Sequence, residues 1–215
     1  MPRAIIIDTD PGHDDAVAIQ LALACPEDVT VLGITAVAGN VPLHLTEKNA
    51  RIVCELAGRR DIKVFAGCDR PMVNPLVTAE HVHGKTGLDG PQMADPAMPL
   101  QAQHAVDFII DTLRSEPPHT VTLCPLGPLT NIATAFRRAP DIVSRVQEIV
   151  LMGGGCFEGG NVTPAAEFNI YVDPEAAEIV LESGVPLVVM PLDVTHKALT
   201  SRAWVAGMRA LGTPV

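Results

Sequence analysis

Residues 8 to 15 read Asp-Thr-Asp-Pro-Gly-His-Asp-Asp, which sets four carboxylates within eight positions, just after the apolar run that ends at Ile7. Two like charges ~4 Å apart repel by ~4 kcal/mol at an effective dielectric of ~20. A partly buried cluster of this kind must protonate, disperse or hold a cation. Its donors are all oxygens, which select hard ions, and Pro11-Gly12 bends the chain so that Asp10 and Asp15 can converge on one Ca²⁺ or Mg²⁺. Crowded, bidentate carboxylates favour Ca²⁺. A plainer reading stands beside this one: Asp14 and Asp15 favour a helix N-terminus, while Asp8 and Asp10 are solvated turn residues. The EF-hand pattern fails, because the fifth and sixth positions counted from Asp8 are Gly12 and His13.

The elements that must position these acids follow from periodicity. Short β-branched or aliphatic runs at Ala4–Asp8, Val29–Thr35, Lys63–Ala66, Val121–Pro125, Glu148–Met152 and Leu187–Pro191 read as strands. Helical patterns fall between them, at Asp14–Ala24, Leu43–Leu56, Ala102–Leu113, Leu129–Ala139, Pro174–Ser183 and Ser201–Leu211. Pro128 and Pro174 suit first turns. Strand and helix in alternation predict an α/β domain, a mostly parallel central sheet with helices on both faces. The acidic run then sits at a strand tip, where open sheets of this class bind ligands. Two stretches break the rhythm, Pro71–Pro99 and Gly153–Val172, and long loops in such a domain are usually functional.

Composition narrows the classes. With 215 residues, 47% of them hydrophobic and 19% charged, the chain has apolar surface enough for one globular core. Fifteen basic against 25 acidic residues give a net charge of −10, which disfavours nucleic acid and anionic membranes as partners. Five cysteines without a CxxC pair point to reduced thiols and a cytoplasmic setting. The apolar start is too short for an export signal and no run approaches a membrane span. Gly84-Lys85-Thr86 ends like a phosphate loop but has Ala79 where the first glycine belongs, and Gly153–Gly155 has Glu158 in place of the third dinucleotide glycine.

Taken together, several segments resemble the calcium-dependent nucleoside hydrolases, which include the pyrimidine-preferring ribonucleoside hydrolases. They are Asp8–Ile19, Ala38-Gly39-Asn40, His83–Gly90, Leu126–Ala133, Met152–Gly155 and Thr163–Pro174. Leu192-Asp193-Val194-Thr195, before His196, matches as well. The resemblance implies a Rossmann-like fold in one domain over residues 1–215. It further implies Ca²⁺ held by Asp10, Asp15 and the Leu126 carbonyl, which the Pro125–Gly127 bend is expected to leave free. Asp14, Asn40, Glu167 and Asn169 would hold the ribose hydroxyls, the last two projecting together from an extended segment. Met152 and Asn161 would line the sugar pocket, with His83 nearer the base. The implied reaction is Ca²⁺-assisted attack of water on the N-glycosidic bond, with Asp10 as general base.

The same resemblance implies a continuation past residue 215 that carries a His-Asp pair, so the chain reads as C-terminally incomplete relative to the family. It also implies a homodimer or homotetramer acting on small ribonucleosides. His13 is expected to cap or pack, and His196 to cap the last helix. Two rival readings stay open here: an Mg²⁺-dependent phosphatase of the haloacid dehalogenase type, and a nucleoside-binding module without turnover.

Overall fold

The computed structural model describes residues 2–90 and 93–212. Among them, six strands, β1 (Arg3–Thr9), β2 (Val29–Ala36), β3 (Val64–Ala66), β4 (Val121–Pro125), β5 (Glu148–Met152) and β6 (Leu187–Met190), form one sheet in the order β3-β2-β1-β4-β5-β6. Every pairing is parallel. This is the doubly wound order, and its direction reverses at β1 and β4, leaving a crevice beyond their carboxyl ends.

Unbroken apolar runs such as Ile5-Ile6-Ile7 suit a parallel strand covered on both faces. Successive side chains alternate, so Ile5 and Ile7 pack with Ile19 and Leu23 of α1 (His13–Ala24) and with Ala50 and Val53 of α2 (Leu43–Leu56). Ile6 packs on the other face with Ile109 of α4 (Ala105–Ser115), Ile132 of α5 (Thr130–Arg138) and Val180 of α7 (Pro174–Leu181). Each such side chain contributes ~1.5–3 kcal/mol by leaving water. The same alternation aims Asp8 at the α5 face and Thr9 at the α1 face, and this parity organises the site.

All six expected strands are present, with no end shifted by more than one residue. The helix expected from Ala102 begins at Ala105, because His104 caps it by accepting a hydrogen bond at Nδ1 from Val106 N (3.2 Å). Pro174 opens α7, whereas Pro128 lies two residues ahead of α5 rather than in its first turn. The two long loops are not structureless. They contain α3 (Glu80–His83) and α6 (Phe168–Val172), and α8 (Leu192–Thr195) follows β6. The last helix, α9 (Arg202–Ala210), is capped by Ser201, while His196 ends α8 and pairs with Glu158, so His196 does not cap the last helix.

Candidate active site

The four acids of the opening motif do not remain one cluster. Asp8, fully buried, turns to the α5 face, where its Oδ1 accepts from Thr35 Oγ1 (2.5 Å) and Asn131 Nδ2 (2.8 Å). Burial pushes its carboxyl up to about 7. Asp15 sits in the first turn of α1, where its Oδ1 accepts from Thr9 Oγ1 (2.7 Å) and its Oδ2 from the Gly12 N–H (2.9 Å). Asp14 is exposed beside it. The readings of Asp8 and Asp10 as solvated turn residues are therefore incorrect, since both are buried.

Asp10 lies just past the end of β1. Its Oδ2 accepts from the Asn40 N–H (2.7 Å), and Asn40 Nδ2 donates to the Asp10 carbonyl (3.0 Å). Its Oδ1 is buried without a partner. Two glycines flank the carboxylate so closely that a Cβ at Gly39 would stand 2.1 Å from Oδ2 and one at Gly127 would stand 2.3 Å from Oδ1. Burial, with Asp15 and then Asp14 adding like charge, holds Asp10 well above the usual carboxylate range. Asp15 is raised in the same direction, by burial and then by Asp14.

A cavity of about 480 Å³ is lined by Asp14, Asp15, Asn40, His83, Leu126, Met152, Asn161, Glu167 and Asn169, while Asp10 is not in the lining and lies buried behind Asn40, which grips it. The structure thus brings every residue expected to touch substrate to one cavity at the carboxyl ends of β1, β4 and β5. Glu167 and Asn169 arrive differently from the expected extended segment. Glu167 is the N-cap of α6, its carboxylate accepting from Gly154 N, Asn169 N and Ile170 N, and Asn169 lies inside that helix. The Leu126 carbonyl is not free either, since it accepts from Asn169 Nδ2 (2.8 Å), although a carbonyl keeps a second lone pair. Asn161 Oδ1 accepts from Phe168 N (2.9 Å), which ties the 153–167 loop to α6.

His83, at the end of α3, is half-buried with Nδ1 unpartnered, and burial lowers its pKa against the pull of Asp14. His13 stands outside the cavity lining; its Nε2 lies 3.0 Å from the Asp89 carbonyl, and its ring stacks on His83 with centroids 6.0 Å apart. His81 and Val82 from α3, and Leu192 and Thr195 from α8, also line the cavity. No motif singled out Val82, while Leu192 and Thr195 lay in a stretch noted only for its resemblance.

These donors fit a hard divalent cation. Asp10, Asp15 and the Leu126 carbonyl offer oxygens only, and two buried carboxylates with raised pKa values and one orphaned oxygen lack a compensating charge. Asp14 does not close a tight trio with them. Among the described residues, the trio whose ligand atoms lie within 4.8 Å of one another is Cys25, Glu27 and Asp28, on the surface at the other end of the strands. Exposed acids gather there as they commonly do without an ion.

The family model for inosine-uridine preferring nucleoside hydrolases matches residues 5–215. The chain belongs to this family. Among nucleoside hydrolases and their relatives it is 54% identical to an uncharacterised protein of Schizosaccharomyces pombe over 207 residues, covering 96% of the chain and 66% of the relative. It is 48% identical to a pyrimidine-specific ribonucleoside hydrolase of Photobacterium profundum, covering 100% of the chain and 68% of that protein. The solved purine-preferring ribonucleoside hydrolase of Gardnerella vaginalis superposes with a TM-score of 0.94 at 35% identity, over 99% of this chain and 68% of that one. The chain thus spans about two thirds of the length of these relatives. The comparisons lend the phosphatase reading no support.

Proposed function

We propose that the protein hydrolyses the N-glycosidic bond of ribonucleosides, releasing ribose and free base. The observation that carries this reading is the buried, half-satisfied Asp10 carboxylate behind a cavity lined by Asp14, Asn40, Glu167 and Asn169. These four side chains supply the acceptors and donors that a vicinal diol needs. Asp10, Asp15 and the Leu126 carbonyl would hold Ca²⁺, which when bound offsets their charge and acts as a Lewis acid toward the diol and a water.

Asn40 fixes Asp10 through Oδ2 and leaves Oδ1 to accept the proton of the attacking water. As the water oxygen bonds to the anomeric carbon, the carbon–nitrogen bond breaks and its electron pair departs with the base, which takes up a proton from solvent while Asp10 returns its own to solvent. The carboxylates of Asp14 and Glu167 favour the positive charge that develops on the sugar. Met152, half-buried at the end of β5 with Sδ 3.4 Å from Asn169 Nδ2, shapes the sugar side, and His83 the base side. The relatives divide between pyrimidine and purine preference, so the reading is of a ribonucleoside without a stated base.

Among the described residues no helix is long and apolar enough to cross a membrane. A cytoplasmic setting rests on the five free cysteines, and a homodimer or homotetramer on the resemblance alone. Base release from uridine, cytidine and inosine, followed with and without EGTA, tests the function. Turnover that chelation abolishes and Ca²⁺ restores is expected. Undiminished turnover in EGTA would overturn the role of the cation, and binding without turnover would mark a nucleoside-binding module instead.

A further inference from the structure

Asn131, in the first turn of α5, is fully buried and outside the cavity lining, yet it joins the tips of three adjacent strands. Its Nδ2 donates to Asp8 Oδ1 at the end of β1 (2.8 Å) and to the Ala36 carbonyl that ends β2 (3.1 Å). Its Oδ1 accepts from the N–H of Cys68, just past β3 (2.8 Å). The partners fix the carboxamide's orientation, because the carbonyl of Ala36 requires a donor and the N–H of Cys68 an acceptor. Backbone closes in on the amide: a Cβ at Gly67 would lie 2.2 Å from Oδ1.

Both chain segments that meet at Asp10 leave from these tips. Asp8 lies two residues before Asp10, and Ala36 lies four residues before Asn40, whose N–H and side chain grip Asp10. Without Asn131, the Ala36 carbonyl and the Cys68 N–H lose a buried partner, and Asp8, whose Oδ2 already has none, keeps only Thr35. Groups left unsatisfied in this way move to find partners, and the β1 and β2 tips carry Asp10 and Asn40 with them.

We propose that Asn131 is a positioning residue that holds Asp10 and Asn40 in mutual register and so sets the divalent-cation affinity of the site, without touching cation or substrate. The inference rests on reading Asp10 and Asp15 as the cation's carboxylates. Removing a group that orients metal ligands weakens metal binding by about tenfold to a hundredfold.

The test is titration of the metal-free protein with Ca²⁺ by calorimetry, for the wild type, Asn131→Leu and Asn131→Asp. A control, Ile142→Ala, empties a fully buried core position away from the cavity. Both Asn131 variants should raise the Kd about tenfold or more. The control should lower the melting temperature but leave the Kd within about twofold, as expected for independent sites. Should Asn131→Leu fail to fold, Asn131→Ser, which keeps one small donor, is read in the same way. A wild type that binds Ca²⁺ while the Asn131 variants match the control overturns the positioning role. A wild type that binds no Ca²⁺ overturns the cation reading itself, a result that no Asn131 variant can mimic.

Discussion

Asp10 is placed where its chemistry opposes its stability. A charged carboxylate with one buried, unpartnered oxygen is costly, and the glycines at 39 and 127 admit it only because they carry no side chain. Asp10→Asn keeps the shape and removes the charge. At pH 8 in EGTA this variant should melt at a higher temperature than the wild type, and with Ca²⁺ its kcat for base release should fall by about 10²–10⁴, the range a general base supplies. A melting temperature lowered by the substitution would show that the carboxylate is not strained. Gly127→Ala presses a methyl group against Asp10 Oδ1, so it should weaken Ca²⁺ binding in calorimetry while circular dichroism stays native. An unchanged Kd would mean that the carboxylate can turn aside freely. The acidic run was legible in the sequence as a chemical anomaly, but the separation of Asp8 from Asp10 and Asp15 was not. It depends on which face of β1 each side chain takes and on what stands opposite, and Asn131 is 123 residues away.

Elements differ in how far their sequence announces them. The strands were legible because buried parallel strands need continuous aliphatic runs, and the longer helices other than α1 because an apolar stripe repeats over several turns; α1 buries Ile19 and Leu23 but leaves Val17 and Leu21 exposed. Single-turn helices leave no such stripe. α6 spans five residues and exists because Glu167 satisfies the N–H groups of Asn169 and Ile170 while also holding Gly154. The turn after β5 is held likewise, by Asp193 accepting from Cys156, Phe157 and Glu158. The bonds to Gly154 and from Asp193 are tertiary contacts, and the Glu167 cap, though local, opens a helix too short to show a period, so periodicity reveals neither. Glu167→Ala should therefore do two things at once. It should destabilise the protein by about 0.5–2 kcal/mol, as loss of an N-cap does, measured by thermal melting. It should also raise KM for ribonucleosides, because the cap places Asn169 in the cavity and Glu167 itself lines it. Loss of stability with KM unchanged would confine Glu167 to a structural role.

At the scale of the whole molecule, the strand order reverses between the paired strands β1 and β4 and places the crevice beyond their carboxyl ends, so the acids at the tip of β1 meet the Leu126 bend after β4. The cost is three buried carboxyls, Asp8, Asp10 and Asp15, all with raised pKa values. A raised group binds more protons in the folded than in the unfolded chain between its two pKa values, so stability falls as pH climbs through that window. For Asp8 the window runs from 3.8 to about 7. His83, lowered by burial from 6.5, acts in the opposite sense, one half-buried group against three buried ones. In EGTA the melting temperature should thus decline from pH 5 to pH 8. A bound cation favours the charged forms of Asp10 and Asp15 and so cancels their share, while Asp8, engaged with Thr35 and Asn131 on the α5 face, keeps its own. The stabilisation by Ca²⁺, ~2.7 kcal/mol at a hundredfold excess over Kd, should therefore be reached at lower calcium as pH rises. Melting curves across this range at fixed Ca²⁺ decide the matter: a calcium-induced shift that is the same at pH 5 and pH 8 would mean that Asp10 and Asp15 do not hold the ion.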